Sequence, residues 1–283
     1  MNLRQSKEFA QYLKLSGWIV KKVGNHYIYL RKLPFLPPLI MKIQYPTPPI
    51  PFVQIEKIAK KYKPLQIQIQ PLKIESRFKK YRYKLSKSAG HVTKTIHLDL
   101  TQSEGKILAG MAKDARYGVR KAEGIEIEKL RNGDIKGFHQ AWKRAVGWRQ
   151  YVPSLKTLTR LKRAFGKKAI FLTGNWKLEI SGACCFAIGN CLAGTVILIA
   201  GKTAYYYQAF TSKEGRKKFA QYLLVWEAIK KTKKTGCQIF DFEGIYDERF
   251  PQKSWLGFSH FKKSFGGEEI EFPGCFLKYC FPF

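Results

Sequence analysis

Four strand-like runs in close succession, followed by one long helical pattern, constrain the fold of this chain most. The runs are residues 169–175, 178–188, 191–199 and 204–210, and short turns containing Gly or Asn separate most of them. This spacing predicts an antiparallel meander. Residues 217–235 then carry apolar side chains at helical spacing, namely Phe219, Tyr222, Leu223, Trp226 and Ile229.

Helical and strand patterns also alternate in the first half of the chain. Asp134 and Ser154 are suited to cap helices that run to residues 145 and 165. The proline-rich stretch 34–51 predicts an extended loop or edge, and the basic stretch 73–90 predicts a loop. We therefore predict an α+β fold. Its expected domains cover residues 1–132 and 133–267, with residues 268–283 packing back on the first.

The charge of the chain is strongly unbalanced. It has 52 basic and 20 acidic residues, a formal net charge of +32. Six cations without an acid lie in 156–168, and eight cations against Glu214 and Glu227 lie in 213–234. These runs favour a polyanionic partner such as a tRNA backbone or anionic lipid. Each run alone fits a solvated helix face, and a proteome rich in lysine would also explain the imbalance.

Several classes of site and location are disfavoured. No Cys-x-x-Cys pair occurs among the six cysteines, and the five histidines show no metal-ligand spacing. We expect no metal and reduced, buried thiols. The polar N-terminus does not resemble a signal peptide, and the apolar run 191–200 is too short to cross a bilayer. We expect a cytoplasmic protein, peripheral at the inner face of the plasma membrane if it contacts lipid.

Three motifs occur in order along the chain. The first is Arg-Tyr-Gly-Val-Arg-Lys-Ala at 116–122, after a strand-like run that ends in Asp99-Leu100. The second is a tyrosine-rich run at 205–207 with Tyr-Leu-Leu-Val-Trp-Glu-Ala at 222–228. The third is Phe-Lys-Lys-Ser-Phe-Gly-Gly-Glu at 261–268. Together they resemble the Fem family, the enzymes that add amino acids to the peptide stem of peptidoglycan precursors.

The resemblance implies two domains of the GNAT acyltransferase fold, the first of them degenerate. It also implies transfer of an amino acid from aminoacyl-tRNA to a stem-peptide amine, which forms the interpeptide bridge. The partners would be aminoacyl-tRNA and a lipid-linked or nucleotide-linked muropeptide. We expect no cofactor and a monomer. The chain departs from the family at 45–49, where family members usually have an Arg-Gly-Pro turn. It also departs at Gln70-Pro71, because family members have Glu or Asp before that proline. It also lacks the coiled-coil arm of some members, so the acceptor preference stays open.

Lys262, preceded by Phe261, is the catalytic candidate that the resemblance implies. Aminoacyl transfer is attack by an amine on an activated ester, so positioning and stabilisation of the oxyanion suffice, and a cation suits the second task. The alternative is that Lys262 and Lys263 only solvate a helix face.

The remaining candidate residues are expected to bind substrate or phosphate. Candidates for holding the acceptor are Lys32, Arg149, Tyr151, Tyr205 and Tyr207. Tyr206 lies between two of them on a strand and faces the other way. Candidates for phosphate or tRNA are Arg116, Arg120, Lys121 and Arg216. Arg116 and Arg120 are four residues apart, which puts both on one helix face. Packing in the core and solvation of a helix face are the competing interpretations.

Two other functions fit parts of the sequence. A CoA-dependent GNAT N-acyltransferase would share the fold, but such enzymes bind pyrophosphate on a Gly-rich turn at a helix N-terminus. Here Phe219 and Gln221 stand at that turn, and we expect their side chains to obstruct a phosphate. A non-enzymatic nucleic-acid-binding protein would explain the charge but not the ordered motifs.

Overall fold

The structure, a computed structural model, describes residues 2–33, 36–130, 134–147, 151–176 and 190–280, without the side chains of 32, 33 and 36–39. The chain divides into two compact units. Unit 1 comprises residues 1–95, 244–256 and 269–283, and unit 2 comprises 96–243 and 257–268. The units change over between Thr95 and Ile96, whereas the boundary predicted from the sequence follows residue 132.

Unit 1 is built on a six-stranded sheet. The strands, in spatial order, are β1 (Trp18–Val23), β2 (His26–Leu33), β3 (Leu36–Gln44), β4 (Gln66–Gln70), β13 (Phe276–Tyr279) and β5 (Lys84–Leu85). β3 and β4 are parallel and the other described pairs are antiparallel. The C-terminal strand therefore returns to the sheet of the first part of the chain. The helices of this unit are α1 (Lys7–Leu15), α2 (Phe52–Tyr62) and α3 (Arg77–Lys80).

One face of this sheet forms the core of unit 1. Alternate strand residues are buried there with the apolar face of α2, and the cluster includes Leu30, Met41, Ile43, Ile67, Ile69, Phe52 and Ile55. This alternation follows from the two-residue period of a strand, which sends the intervening side chains to the opposite face. The opposite face carries Tyr29, Lys42 and Gln68 side by side in register.

Unit 2 contains the predicted meander and the long helical segment. Six strands run in the spatial order β6 (Lys94–Asp99), β11 (Ile239–Asp241), β10 (Thr203–Thr211), β9 (Cys191–Ala200), β8 (Ala169–Trp176) and β7 (Ile125–Lys129). The helices are α4 (Glu104–Ala109), α5 (Lys113–Lys121), α6 (Ile135–Val146), α7 (Leu155–Phe165), α8 (Lys213–Lys217), α9 (Ala220–Lys234) and α10 (Leu256–Lys263). β12 (Glu268–Glu271) follows α10 along the chain and leads back into unit 1.

The connections between strands determine which neighbouring strands of unit 2 are antiparallel and which are parallel. β9 and β10 pair antiparallel across a short turn, as predicted, and β8 pairs antiparallel with β9. β11 instead lies parallel to β10, because α8 and α9 carry the chain back along the sheet between them. Asp134 and Ser154 accept backbone hydrogen bonds from Gly137 and Thr157 and cap α6 and α7 as expected.

Three sequence-based assignments need correction. The proline-rich stretch was expected to be an extended loop or edge, but it contains β3, whose proline-free residues 40–42 pair with strands on both sides. The helix expected over 217–235 begins only at Ala220, because Phe219, where φ is 56°, separates α9 from the short α8 before it. The stretch 73–90 contains α3 and β5. The strand expected at 178–188 lies outside the described residues.

Candidate active site

The position of Lys262 is fixed by an aromatic cluster on one side of α10. The Phe261 ring lies 4.9 Å from the Tyr222 ring, and the Phe265 ring packs on both of them at 5.2 and 5.8 Å. Phe265 is fully buried and also contacts Phe242 of the neighbouring chain segment at 5.5 Å. Because Phe261 is occupied by this packing, we interpret it as a residue that orients the helix.

Two glycines end this segment for steric reasons. Gly266 and Gly267 have φ values of 78° and 99°, in the region that favours glycine. A Cβ at Gly266 would lie 2.8 Å from the carbonyl oxygen of Gly110, and one at Gly267 would lie 2.7 Å from that of His97. The backbone of this turn therefore packs directly on neighbouring backbone. The same turn is tied to α5, since Ala112 N–H donates to the Ser264 carbonyl at 2.8 Å.

The Lys262 ammonium lies among aromatic rings and carboxylates, largely removed from water. The residue is 9% exposed, and Nζ lies 4.8 Å from the centre of the Phe258 ring and 6.0 Å from that of Tyr206. Burial lowers the pKa of Lys262 from 10.5 to about 8, and the charges of Glu243 and Asp241 oppose that shift. Because this pKa lies above 7, the cation is the main form at neutral pH.

The two carboxylates that support this cation come from the end of β11. Asp241 is buried, its Oδ2 is 3.1 Å from His97 Nε2, and its Oδ1 accepts the Glu243 N–H at 2.7 Å. Glu243 has a φ of 60°, a conformation that costs a residue with a side chain free energy. The Asp241 hydrogen bond holds Glu243 in that strained turn, from which its charge acts on Lys262.

A second hydrogen-bonded group reaches the site from β10 and α9. Gln221 Nε2 donates to the Tyr206 hydroxyl at 2.6 Å, and Thr211 donates to Gln221 Oε1 at 2.8 Å. Burial raises the pKa of Tyr206, so its hydroxyl stays protonated. A β-bulge between Tyr206 and Gln208 locally changes the register of β10 against β9.

A tyrosine that the sequence did not select lies near Lys262, and the predicted role of Tyr205 and Tyr207 in holding the acceptor stays a prediction. Tyr206 is the tyrosine whose ring lies near the lysine, while Tyr205 is buried and Tyr207 is half-buried. The alternation of strand residues separated Tyr206 from the other two. It could not indicate which face of β10 meets α10, because that depends on tertiary packing.

The phosphate candidates lie on helices of unit 2, and two of them are engaged with backbone. Arg116 donates to the carbonyl of Ala109 at 3.0 Å and to that of Met111. Arg216 donates to the Thr211 carbonyl at 2.9 Å. Arg120 and Lys121 are exposed on α5. Their proposed roles stay predictions.

For the other three acceptor-binding candidates, no contact with Lys262 or its neighbours is described. Tyr151 is 77% exposed. Arg149 and the side chain of Lys32 lie outside the described residues. The roles of all three remain predictions.

Three further features concern metal ligands, cysteines and membrane-spanning helices among the described residues. No group of three or more potential metal ligands occurs among them. The cysteines found there, Cys191, Cys237, Cys275 and Cys280, are unpaired. Within the same residues, no helix is both long and apolar enough to span a membrane.

Comparison with known proteins identifies the family signal and the fold. Residues 188–283, about a third of the chain, match the model of the FemAB family. None of the curated proteins compared matches the chain. Among solved structures, a crystal structure of FemX matches with a TM-score of 0.76 at 17% identity, covering 98% of this chain and 92% of that one.

Two further structures share the architecture. The C-terminal domain of a putative lysylphosphatidylglycerol synthetase from Agrobacterium fabrum matches with a TM-score of 0.63 at 12% identity, covering 99% and 89% of the two chains. A tandem GNAT protein from the clavulanic acid biosynthesis pathway matches with a TM-score of 0.56 at 10% identity, covering 93% and 82%. The α+β architecture of two GNAT-like domains is thus confirmed. The resemblance to the Fem family is confirmed as well, by sequence over residues 188–283 and by fold over nearly the whole chain.

Proposed function

We propose that this protein is an aminoacyltransferase that moves an amino acid from aminoacyl-tRNA to the stem-peptide amine of a peptidoglycan precursor. The observation that carries the proposal is Lys262, a buried and mostly protonated lysine inside the segment that matches the FemAB family. A cation largely removed from water is suited to a reaction whose transition state develops negative charge on a carbonyl oxygen.

The reaction balances without a further reactant. The acceptor amine attacks the ester carbonyl of the aminoacyl group, forming a C–N bond and an oxyanion. The oxyanion collapses and breaks the C–O bond to the tRNA ribose, and the proton lost by the amine ends on that ribose hydroxyl. The Lys262 ammonium would face the oxyanion, while Asp241 and Glu243 favour its protonated form.

Comparison with relatives supports an acyltransferase more strongly than it defines the substrates. The FemAB match favours a peptidoglycan precursor as acceptor. The name of the lysylphosphatidylglycerol synthetase says that its product is an aminoacylated lipid, so a similar fold serves an acceptor of another class. The tRNA donor is the part of the proposal that needs the most direct test.

A CoA-dependent acyltransferase is the main rival, and the N-terminus of α9 bears on it. The Phe219 ring is half-buried and lies 5.5 Å from the Tyr117 ring and 6.2 Å from the Tyr222 ring. An aromatic residue therefore holds the left-handed position that glycine would favour in a phosphate-binding turn. Gln221 was expected to obstruct a phosphate, but its side chain turns inward to Tyr206 and Thr211. The argument against CoA therefore rests on Phe219 alone.

The experiment is transfer of radiolabelled amino acids from a mixed pool of charged tRNA to lipid-linked or nucleotide-linked muropeptide. We expect label in the acceptor with the wild type and with Lys263→Ala, and at least a hundredfold lower rate with Lys262→Ala. Lys263 is the exposed neighbour in the same helix, so it controls for loss of a lysine from α10. Absence of transfer together with saturable binding of acetyl-CoA would support the rival instead.

A further inference from the structure

A small cleft in unit 1 combines a half-buried lysine with amide side chains. It is lined by residues of β3 and β4, by the segment that follows β5 and by the residue before β13, namely Lys42, Ile43, Gln44, Gln68, Gln70, Gly90 and Cys275. Lys42 pairs with Gln68 and Gln44 pairs with Gln70 across the parallel strands, so the four side chains project from one face. The cleft is shallow and open to solvent, and its volume of about 10 Å³ has room for one water-sized group.

No counterion accompanies Lys42 within the described part of unit 1. Its Nζ has no hydrogen-bond or ion-pair partner there, and none of the residues that line the cleft is acidic. Burial and the neighbouring Arg31 charge lower the pKa of Lys42, while the charge of Cys275 opposes the shift. Two other lysines of the unit are paired, since Lys278 lies 2.7 Å from Glu56 and Lys94 lies 2.7 Å from Glu269. An unpaired, half-buried cation costs free energy that an anionic ligand would recover.

Neutral hydrogen-bond donors surround this cation. Gln68 Nε2 donates one hydrogen to Gln66 Oε1 at 2.7 Å and retains a second. The Gln44 side-chain amide is not engaged by any described residue. Gln70 has a different task, because its Nε2 donates to the carbonyls of Ala89 and Val92 at 3.4 and 3.1 Å and holds that wall of the cleft.

The wall at Gly90 is closely packed. Gly90 has a φ of 66°, and a Cβ there would lie 3.0 Å from the Cβ of Cys275. Any larger residue would therefore crowd Cys275, which also lines the cleft.

We propose that this cleft takes one oxygen of a small oxyanion, a carboxylate or a phosphate group whose remaining atoms lie at the open mouth, and binds it through the Lys42 ammonium with the amides of Gln44 and Gln68. The chemistry follows from the donors, because an ammonium and amide N–H groups all point hydrogen toward the ligand and no acceptor of comparable charge competes. The site belongs to unit 1 and goes beyond the proposed transfer at Lys262, so either can fail without the other.

The test is calorimetric titration of the full chain with inorganic phosphate and, separately, with acetate at constant ionic strength set by chloride. We expect saturable binding of at least one anion, weakened at least tenfold by Lys42→Met and unchanged by Lys57→Met. Lys57 is exposed on α2, on the opposite side of the sheet, and its replacement removes the same charge. Preference for phosphate or for acetate decides between the two groups.

A second measurement uses the wild-type protein alone, so it does not require that a substituted protein folds. The NMR signal of the labelled Lys42 side chain is followed in the wild type as anion is added, with Lys57 as internal reference. We expect a saturable shift of the Lys42 signal and an upward shift of its pKa on binding. Equal binding by wild type and Lys42→Met, or a Lys42 signal that does not move at high anion concentration, would overturn the proposal.

Discussion

The side chain of Lys262 is a cation that the fold holds away from water. Its pKa is about 8 in the folded protein and near 10.5 when the chain is unfolded, so between these values the unfolded state binds more protons. Stability contributed through this group therefore rises as the pH increases from about 8 to about 10.5. At neutral pH the lysine costs stability, as expected of a residue kept for its chemistry.

The first prediction concerns that cost. Lys262→Met retains the length of the side chain and removes the charge, so we expect the free energy of unfolding at pH 7 to rise by up to about 3 kcal/mol. Denaturant unfolding at pH 7 and at pH 10 measures it, and the gain should shrink at the higher pH. A loss of stability at pH 7 would show that the attraction between the cation and the surrounding carboxylates exceeds the cost of burying the charge.

The second prediction concerns Asp241, which favours the protonated lysine. Asp241→Asn removes a charge that raises the pKa of Lys262, so that pKa should fall below about 8. NMR titration of the labelled Lys262 side chain measures it. Asp99→Asn, at an exposed carboxylate near the end of β6, is the matched control and should leave the Lys262 titration unchanged. An unshifted pKa in Asp241→Asn would place the electrostatic support elsewhere.

At the scale of elements, α8 depends on a close backbone contact. A Cβ at Gly215 would clash with the carbonyl oxygen of Leu192 in β9, and the Gly215 N–H donates to the Ser212 hydroxyl at 2.9 Å. A third prediction follows, that Gly215→Ala destabilises the fold by about 2 kcal/mol through overpacking. Gly105→Ala in α4, where a Cβ meets nothing within 4 Å, should be neutral or stabilising. Equal effects in chemical denaturation would contradict this account.

Sequence patterns predicted elements well where local signals agreed. The caps at Asp134 and Ser154 and the strands β8, β9 and β10 all combine a clear period with turn or capping residues. β3 was missed because its prolines outweighed the apolar residues after them, and its pairing with β4 is decided by tertiary structure. The break at Phe219 was missed because a left-handed phenylalanine has no sequence signal.

The candidate site was predictable only in part for the same reason. Lys262 was selected through motif resemblance, since its own residue type fits a solvated helix face equally well. Tyr206, Asp241 and Glu243 were not selected, because they meet Lys262 through the packing of β10 and β11 against α10. Residues that are far apart in the sequence and meet only in the fold leave no periodic pattern or fixed spacing from which their contact could be predicted.

For the whole molecule, the excess of 32 positive charges is the dominant electrostatic feature. Like charges that repel in the compact state are screened by salt, so a fourth prediction is a higher melting temperature when NaCl is raised from about 20 mM to about 300 mM. Thermal unfolding followed by circular dichroism tests it. A falling melting temperature would mean that favourable ion pairs outweigh the repulsion.

The same positive charge should also attract a polyanionic substrate. Lys156 and Arg163 are exposed on α7, within the basic run of residues 156–168. If this run contacts tRNA, replacing both by glutamine should lower the slope of log affinity against log salt by about 1 to 2, while Lys57→Gln with Lys60→Gln on α2 should not. An equal change of slope for the two pairs would indicate nonspecific attraction to the whole surface.

The most direct test of the central claim is the pH dependence of single-turnover aminoacyl transfer in wild type and Lys262→Arg. Dividing one rate by the other removes the titration of the acceptor amine, which both enzymes share. If the Lys262 cation stabilises the oxyanion, the ratio of wild type to Lys262→Arg falls above about pH 8, because only the lysine loses its proton there. A ratio that rises through the same pH would mean that the neutral amine of Lys262 acts as a base, and would contradict the account.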